Sequence, residues 1–223
     1  MTSIILIANG ARPRLLSQTL ETLYKHTPRD QFNLTVIWDG SNPVFFIPDD
    51  AAMLCMNRPC KIVGRLKNLG AYWSDKNFGR GEYVCFIDDD MAFFPGWLEK
   101  MTMVSSSMCA SGNSILGGVR HSYHGVNFEN HTGRFGWHAT DAVAGYCHFM
   151  SWKTWDQFGP YDAHAKGTGQ SEDWKLCNDI VKAGGRVGYI HPPVMAHCGV
   201  KNSEGKPAIG NEKIERIPGL IYE

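Results

Sequence analysis

The stretch YVCFIDDDMAF, residues 83 to 93, places Asp88, Asp89 and Asp90 directly behind a run of aromatic, β-branched and apolar residues. Such a run reads as a buried strand. Neighbouring carboxylates raise one another's pKa unless a cation or hydrogen-bond donors stabilise their charged forms. The triplet therefore demands a counter-charge at a strand end.

Upstream of it, short apolar runs alternate with amphipathic stretches. SIILIA (3–8) reads as a first strand, and RLLSQTLETLYKH (14–26) as a helix with Leu15, Leu16, Leu20 and Leu23 on one face. NLTVIWDGS (33–41) reads as a second strand ending in an acid and a glycine turn, and CKIVGRL (60–66) as a third. GAYWSDKNFGRG (70–81) fits a short helix closed by glycine, before the strand at 82–88. This βαβ alternation predicts an α/β fold with a mainly parallel central sheet flanked by helices, whose ligands gather at the carboxyl ends of its strands.

Downstream, PGWLEKMTMVSSSM (95–108) reads as a helix started by Pro95. SILGGV (114–119) and AGYCHFMSW (144–152) are strand candidates separated by a polar loop. SEDWKLCNDIVKAG (171–184) is a helix capped by Ser171, with acids in its first turn, a face of Trp174, Cys177, Ile180 and Val181, and a stop at Gly184. The polar, turn-rich stretch after residue 199 is expected to be mobile. One domain is expected, with residues 1–109 as its first half and 110–199 as its second.

Composition narrows the classes. A 43% hydrophobic fraction describes an ordinary globular chain. Twenty-two basic and 22 acidic residues cancel, which gives no broad footprint for a polyanion or an anionic membrane. No apolar stretch approaches the roughly 18–20 residues of a spanning helix, and MTSIILIANGARP lacks a basic leader. A cytoplasmic protein without a membrane span is the expectation. Seven cysteines without a CxxC pair are read as reduced, structural thiols.

Three clusters carry candidate chemistry. Strand-end carboxylates such as Asp88 and Asp90 suit a hard divalent cation, Mg²⁺ or Mn²⁺, while Asp89 points elsewhere or toward a ribose; an acidic turn capping a helix is the plain alternative. Glu172 and Asp173 can supply a general base, or simply favour the helix macrodipole. His197, in VMAHCG, can complete a mixed oxygen and nitrogen metal shell, or be a satisfied core residue. His121 and His124 form an HxxH without an accompanying acid, and no zinc motif is read there.

Read in order, these pieces resemble the family 2-type glycosyltransferases with the GT-A fold. The resemblance spans about residues 3 to 199 and is carried by VIWDGS, RLKNLGAYWSDKNFGRGEYVCFIDDDMAFFPGWLE, the AGYCHFMSW…GQSEDWKLCND segment and VMAHCG. It implies a Rossmann-like fold and an inverting, metal-dependent transfer of sugar from a nucleoside-diphosphate sugar, with a UDP-sugar expected. By that resemblance Asp39 contacts the base or ribose, although Trp38 stands where many members have a first acid. Arg65, Asn68, Gly70 and Asn77 line the nucleotide pocket, and Asp88 and Asp89 face the donor. Asp88, Asp90 and His197 hold Mn²⁺ or Mg²⁺. Asp173 is the base, with Glu172 as an acceptor-binding or alternative base. The acceptor hydroxyl is left open among glycans, proteins, small molecules and a hydroxylated DNA base, to which the neutral net charge lends no support. Rival readings are a metal-dependent phosphohydrolase or nucleotidyltransferase, and a non-catalytic nucleotide-sugar-binding protein.

Overall fold

The computed structural model describes residues 1–40, 47–60, 62–109, 112–118, 136–163, 172–199 and 218–223. A central eight-stranded sheet runs in the order β3-β2-β1-β4-β8-β6-β9-β7. Its members are β1 (Thr2–Ala8), β2 (Phe32–Trp38), β3 (Ala52–Cys55), β4 (Tyr83–Asp88), β6 (Ser114–Gly117), β7 (Gly136–Ala139), β8 (Cys147–Ser151) and β9 (Arg186–His191). β3, β2, β1 and β4 pair in parallel. β8 then runs antiparallel to both β4 and β6, β9 parallel to β6, and β7 antiparallel to β9. The first four strands pair in parallel, as expected, and antiparallel pairing enters the sheet with β8 against β4 and with β7.

β1 is buried along its whole length, so it reads as a continuous apolar run. Its side chains alternate between two cores. Ile4, Leu6 and Ala8 meet α1 (Pro13–His26) and α3 (Trp97–Cys109) through Leu16, Leu20, Leu23, Trp97, Met101 and Met108. Ile5 and Ile7 meet α2 (Val63–Phe78), α4 (Trp152–Phe158) and α5 (Glu172–Lys182) through Leu66, Ala71, Trp155, Leu176 and Ile180. Burying both faces of a largely parallel sheet in this way produces a three-layer sandwich.

The expected strand at 60–66 is corrected: the third strand lies earlier, at Ala52–Cys55, and Val63 to Leu66 opens α2. Lys67, Gly70, Ala71 and Ser74 are buried at helical spacing, and this packed stripe overrides the β-branched appearance of CKIVG. Gly79, at φ +72°, ends the helix and donates its N–H to Asp75 O at 2.9 Å. In α5 the buried face is Leu176, Cys177 and Ile180; Trp174 and Val181, expected there, are exposed. The Ser171 cap and the HxxH lie outside the described residues. Gly184, at φ +79°, follows the end of α5 as expected.

A second, two-stranded sheet was not foreseen. β5 (Met91–Phe93) pairs antiparallel with β10 (Met195–His197) and brings His197 opposite Met91. Against it pack Leu220, Ile221 and Tyr222. Gln18 holds that end of the chain, its Oε1 accepting from Ile221 N at 2.7 Å and its Nε2 donating to Ile221 O at 3.2 Å. Residues 218–223 thus pack beside α1 and the small sheet, and residues 200–217 lie outside the described residues. The six cysteines whose side chains are described are all free thiols. Among the described residues no helix is long and apolar enough to cross a membrane.

Candidate active site

The chain leaves β4 at Asp88, turns through Asp89 and Asp90, and enters β5 at Met91. The turn is held from α1: Thr19 Oγ1 donates to Met91 O at 2.7 Å and accepts from Met91 N at 3.0 Å. It is held from β10 as well, because Cys198 N donates to Asp90 O at 2.7 Å. Pairing of β5 with β10 sets His197 Nε2 3.2 Å from Asp90 Oδ2. The Tyr146 ring stacks on the His197 imidazole, with centroids 4.5 Å apart and planes 15° from parallel.

The counter-charge demanded by the triplet is supplied in this structure by Arg12. Its guanidinium reaches Asp89 Oδ1 through Nη2 at 2.6 Å and Asp90 Oδ2 through Nη1. Burial pushes the Asp89 carboxyl up to about 7, against the pull of Arg12, and the Asp88 carboxyl up to about 6, against Lys67. Asp90 is as deeply buried, yet His197 and Arg12 together hold it below the ordinary carboxylate range. Burial would lower His197, but Asp90 raises it above the ordinary histidine value. One guanidinium shared between two carboxylates thus ionises most readily the one that also has a histidine.

The acid pair joins this cluster through Lys67, Gly145 and Tyr146. Lys67, only 1% exposed, donates from Nζ to Gly145 O at 2.9 Å and lies 3.4 Å from Glu172 Oε1. Gly145 N donates to Asp173 Oδ2 at 2.9 Å, and the next carbonyl, that of Tyr146, accepts from Asp88 N at 3.2 Å. A Cβ on residue 145 would stand 2.7 Å from Lys67 Nζ, so the ammonium and this turn pack without spare room. Beneath them His148 is fully buried: its Nε2 donates to Val143 O at 3.0 Å, and its Nδ1 accepts from Tyr161 OH at 2.8 Å. Burial, then the charge of Lys67, pushes His148 down to about 4 and keeps it neutral.

The structure therefore brings together Asp88, Asp89, Asp90, His197, Glu172 and Asp173. The other expected residues are dispersed. Asp39 ends β2 as foreseen, two strands or roughly 10 Å across the sheet from β4, and its Oδ1 accepts from Cys60 N. Arg65 is exposed on the first turn of α2. Asn68 spends both amide functions on the Tyr161 backbone, each at 2.9 Å. At Gly70 a Cβ would lie 2.3 Å from Ile5 Cγ2, so this glycine lets α2 cross β1 closely. Asn77 sits in the last turn of α2, donating to Trp73 O at 2.7 Å, near the edge where Glu82 N meets Met1 O. That is the opposite end of the parallel strands from Asp88.

Sequence reasoning missed Arg12, Lys67 and Tyr146. A signal existed for Lys67, a lysine on the buried stripe of an otherwise apolar helix face. Arg12 had a weaker one, its place in the turn just before Pro13. Nothing local marks Tyr146.

No protein-family model matches the chain, and no curated protein is matched. Solved structures do match. GalNAc-T7 with UDP, GalNAc and Mn²⁺ superposes with a TM-score of 0.68 at 13% identity, over 87% of this chain and 43% of that one. S. aureus TarS 1-349 in complex with UDP-GlcNAc gives 0.61 at 12% identity, over 87% and 57%. The mannosyltransferase PcManGT from Pyrobaculum calidifontis, in complex with GDP-Man and Mn²⁺, gives 0.60 at 13%, over 84% and 56%. The chain has the GT-A fold. It spans about half the length of these GT-A structures.

The donor set of this GT-A chain fits a hard cation. Asp90 Oδ1 is buried with no hydrogen-bond partner among the described residues, and Asp88 and His197 add oxygen and nitrogen donors beside it. Among those residues no three of His, Cys, Asp and Glu are already gathered as a ligand set, and Arg12 engages two of the carboxylates.

Proposed function

We propose that this chain is a metal-dependent, inverting glycosyltransferase that moves a sugar from a nucleoside-diphosphate sugar, a UDP-sugar first, to an acceptor hydroxyl. The observation that carries the reading is one continuous cluster on a GT-A fold. It joins the strand-end triplet Asp88–Asp90 to Glu172 and Asp173 through Lys67, Gly145 and Tyr146. The matched structures contain UDP, UDP-GlcNAc or GDP-Man, two of them with Mn²⁺, which supports a nucleotide-sugar donor and a divalent ion.

Asp90, Asp88 and His197 would hold Mn²⁺ or Mg²⁺, which when bound supplies positive charge for the departing diphosphate. Asp39, at the carboxyl end of β2, faces the nucleoside. Asp173 takes the proton from the acceptor hydroxyl as that oxygen attacks the anomeric carbon from the face opposite the leaving group. Gly145 N fixes the carboxylate it uses, and Lys67 keeps Glu172 beside it as an acceptor contact or alternative base. Water exclusion falls to the buried floor of Tyr146, His148 and Tyr161.

The test is a panel of nucleoside-diphosphate sugars, followed for nucleoside-diphosphate release with Mn²⁺, with Mg²⁺ and with chelator. Metal-dependent release from one donor, lost in Asp90→Ala, supports the reading. No release from any donor, or release insensitive to both chelator and Asp90→Ala, refutes it.

A further inference from the structure

We propose that Arg12 is an exchangeable counter-ion: it neutralises Asp89 and Asp90 while no divalent ion is bound, and entry of the ion at Asp90 and departure of Arg12 from that carboxylate are one event. The proposal rests on reading Asp88–Asp90 and His197 as a cation site.

Three observations carry it. Arg12 spans two carboxylates of the triplet, and on Asp90 it shares Oδ2 with His197, whose Nε2 lies 3.2 Å away. One of the two Asp90 oxygens is therefore already taken by a monovalent charge. Both partners are also left incompletely satisfied, since Arg12 Nε and Asp90 Oδ1 are buried without a hydrogen-bond partner among the described residues. Unmet donors and acceptors in a buried ion pair remove part of what would otherwise lock it. Finally, backbone closes over the pair: a Cβ on Gly199 would stand 2.0 Å from Asp90 Oδ2 and 2.6 Å from Arg12 Nη1. An ion that draws on both oxygens of Asp90 therefore meets the guanidinium at Oδ2 and has to replace it there.

Arg12 stands at the head of α1, in a turn set by Ala11 N donating to Asn9 Oδ1 at 2.9 Å. Its side chain is 18% exposed, against 2% for that of Asp90, so its route out is toward solvent and away from the sheet. Released there, it is a planar five-donor cation beside the bound ion, suited to the diphosphate oxygens of a donor.

The experiment measures Mn²⁺ alone, with no sugar nucleotide present, by electron paramagnetic resonance of the free ion. Arg12→Met, which removes the competing charge while keeping an unbranched stem, is expected to bind Mn²⁺ at least tenfold more tightly than the parent protein. Arg12→Lys, able to meet only one carboxylate at a time, should fall between. As a check needing no variant, the Arg12 side-chain ¹⁵Nε resonance should shift in step with Mg²⁺ occupancy. Equal or weaker Mn²⁺ affinity in a folded Arg12→Met protein overturns the exchange, as does an Arg12 signal unmoved at saturating Mg²⁺. Absence of Mn²⁺ binding to both proteins overturns it too. Because donor is absent throughout, tighter Mn²⁺ binding by Arg12→Met stands even if the donor panel finds no substrate.

Discussion

Lys67 and Glu172, 105 positions apart in the chain, meet with Nζ 3.4 Å from Oε1 in the space between α2 and α5. The ammonium is fully buried and the carboxylate partly so. Removing one member of a buried pair strands the other, a loss of about 3–5 kcal/mol. Lys67→Met is expected to lose about 3 kcal/mol in urea denaturation, and Lys67→Met/Glu172→Gln to recover part of it. A double variant no more stable than Lys67→Met would show that the pair is not coupled.

Asp173 accepts from Gly145 N at Oδ2 and from Trp174 N at Oδ1, both at 2.9 Å; the single oxygen of an asparagine can keep the first, while its NH2 then faces the exposed Trp174 N–H. Asp173→Asn should therefore still fold, with a loss of about 1 kcal/mol for the one hydrogen bond given up. As a base it is disabled, and transfer to the acceptor should fall by about 10²–10⁴-fold. Full transfer in this variant would move the base to Glu172.

Gly70 separates two explanations of one residue. If it serves packing, Gly70→Ala drives a methyl into Ile5 and Ile37 and destabilises by about 1–3 kcal/mol, without altering nucleotide affinity in the folded fraction. If it lines the nucleotide pocket, affinity falls while stability holds. Denaturation together with calorimetric titration of UDP distinguishes the two.

His148 gives a pH dependence of known sign. Its folded pKa, about 4, lies below the ordinary 6.5, so between those values the unfolded chain binds a proton that the folded chain refuses. Stability contributed by this residue is present above pH 6.5 and is lost as pH falls toward 4, a change of about 3 kcal/mol at full extent. Asp88 and Asp89, whose folded values are raised to about 6 and 7, work in the opposite direction over the same range, so the parent profile is a sum. His148→Gln, which can still accept from Tyr161 OH and donate to Val143 O, isolates the histidine. Relative to the parent it should gain stability as pH drops from 7 to 4, measured by denaturation at each pH.

Much of the first half of the molecule was legible. β1, α1, β2 and β4 announce themselves because a strand buried on both faces must be apolar throughout, and a one-sided helix must be periodic. The acids at their ends were legible too, since carboxylates behind a buried strand have few innocent explanations. What could not be read was contact across distance. The helix over 63–66 is decided by Gly70 and Lys67 fitting against the sheet, which outweighs local β-propensity. β5 and β10 are three residues each, too short for any periodic signal, yet their pairing delivers His197 to Asp90. Arg12 pairs with residues 77 and 78 positions away, a relation to which no spacing rule points.

β4 deserves a last consequence, because it carries the parallel strands into the rest of the sheet, pairing with β1 in parallel and with β8 antiparallel. Losing or gaining one residue there would slide its end by about 3.3 Å and turn every later side chain to the opposite face. The aspartates would then leave Arg12 and His197 on one side and the Tyr146 carbonyl on the other, all at once. Length variation among natural versions of this protein is expected to spare residues 83–88, however freely their individual side chains are exchanged.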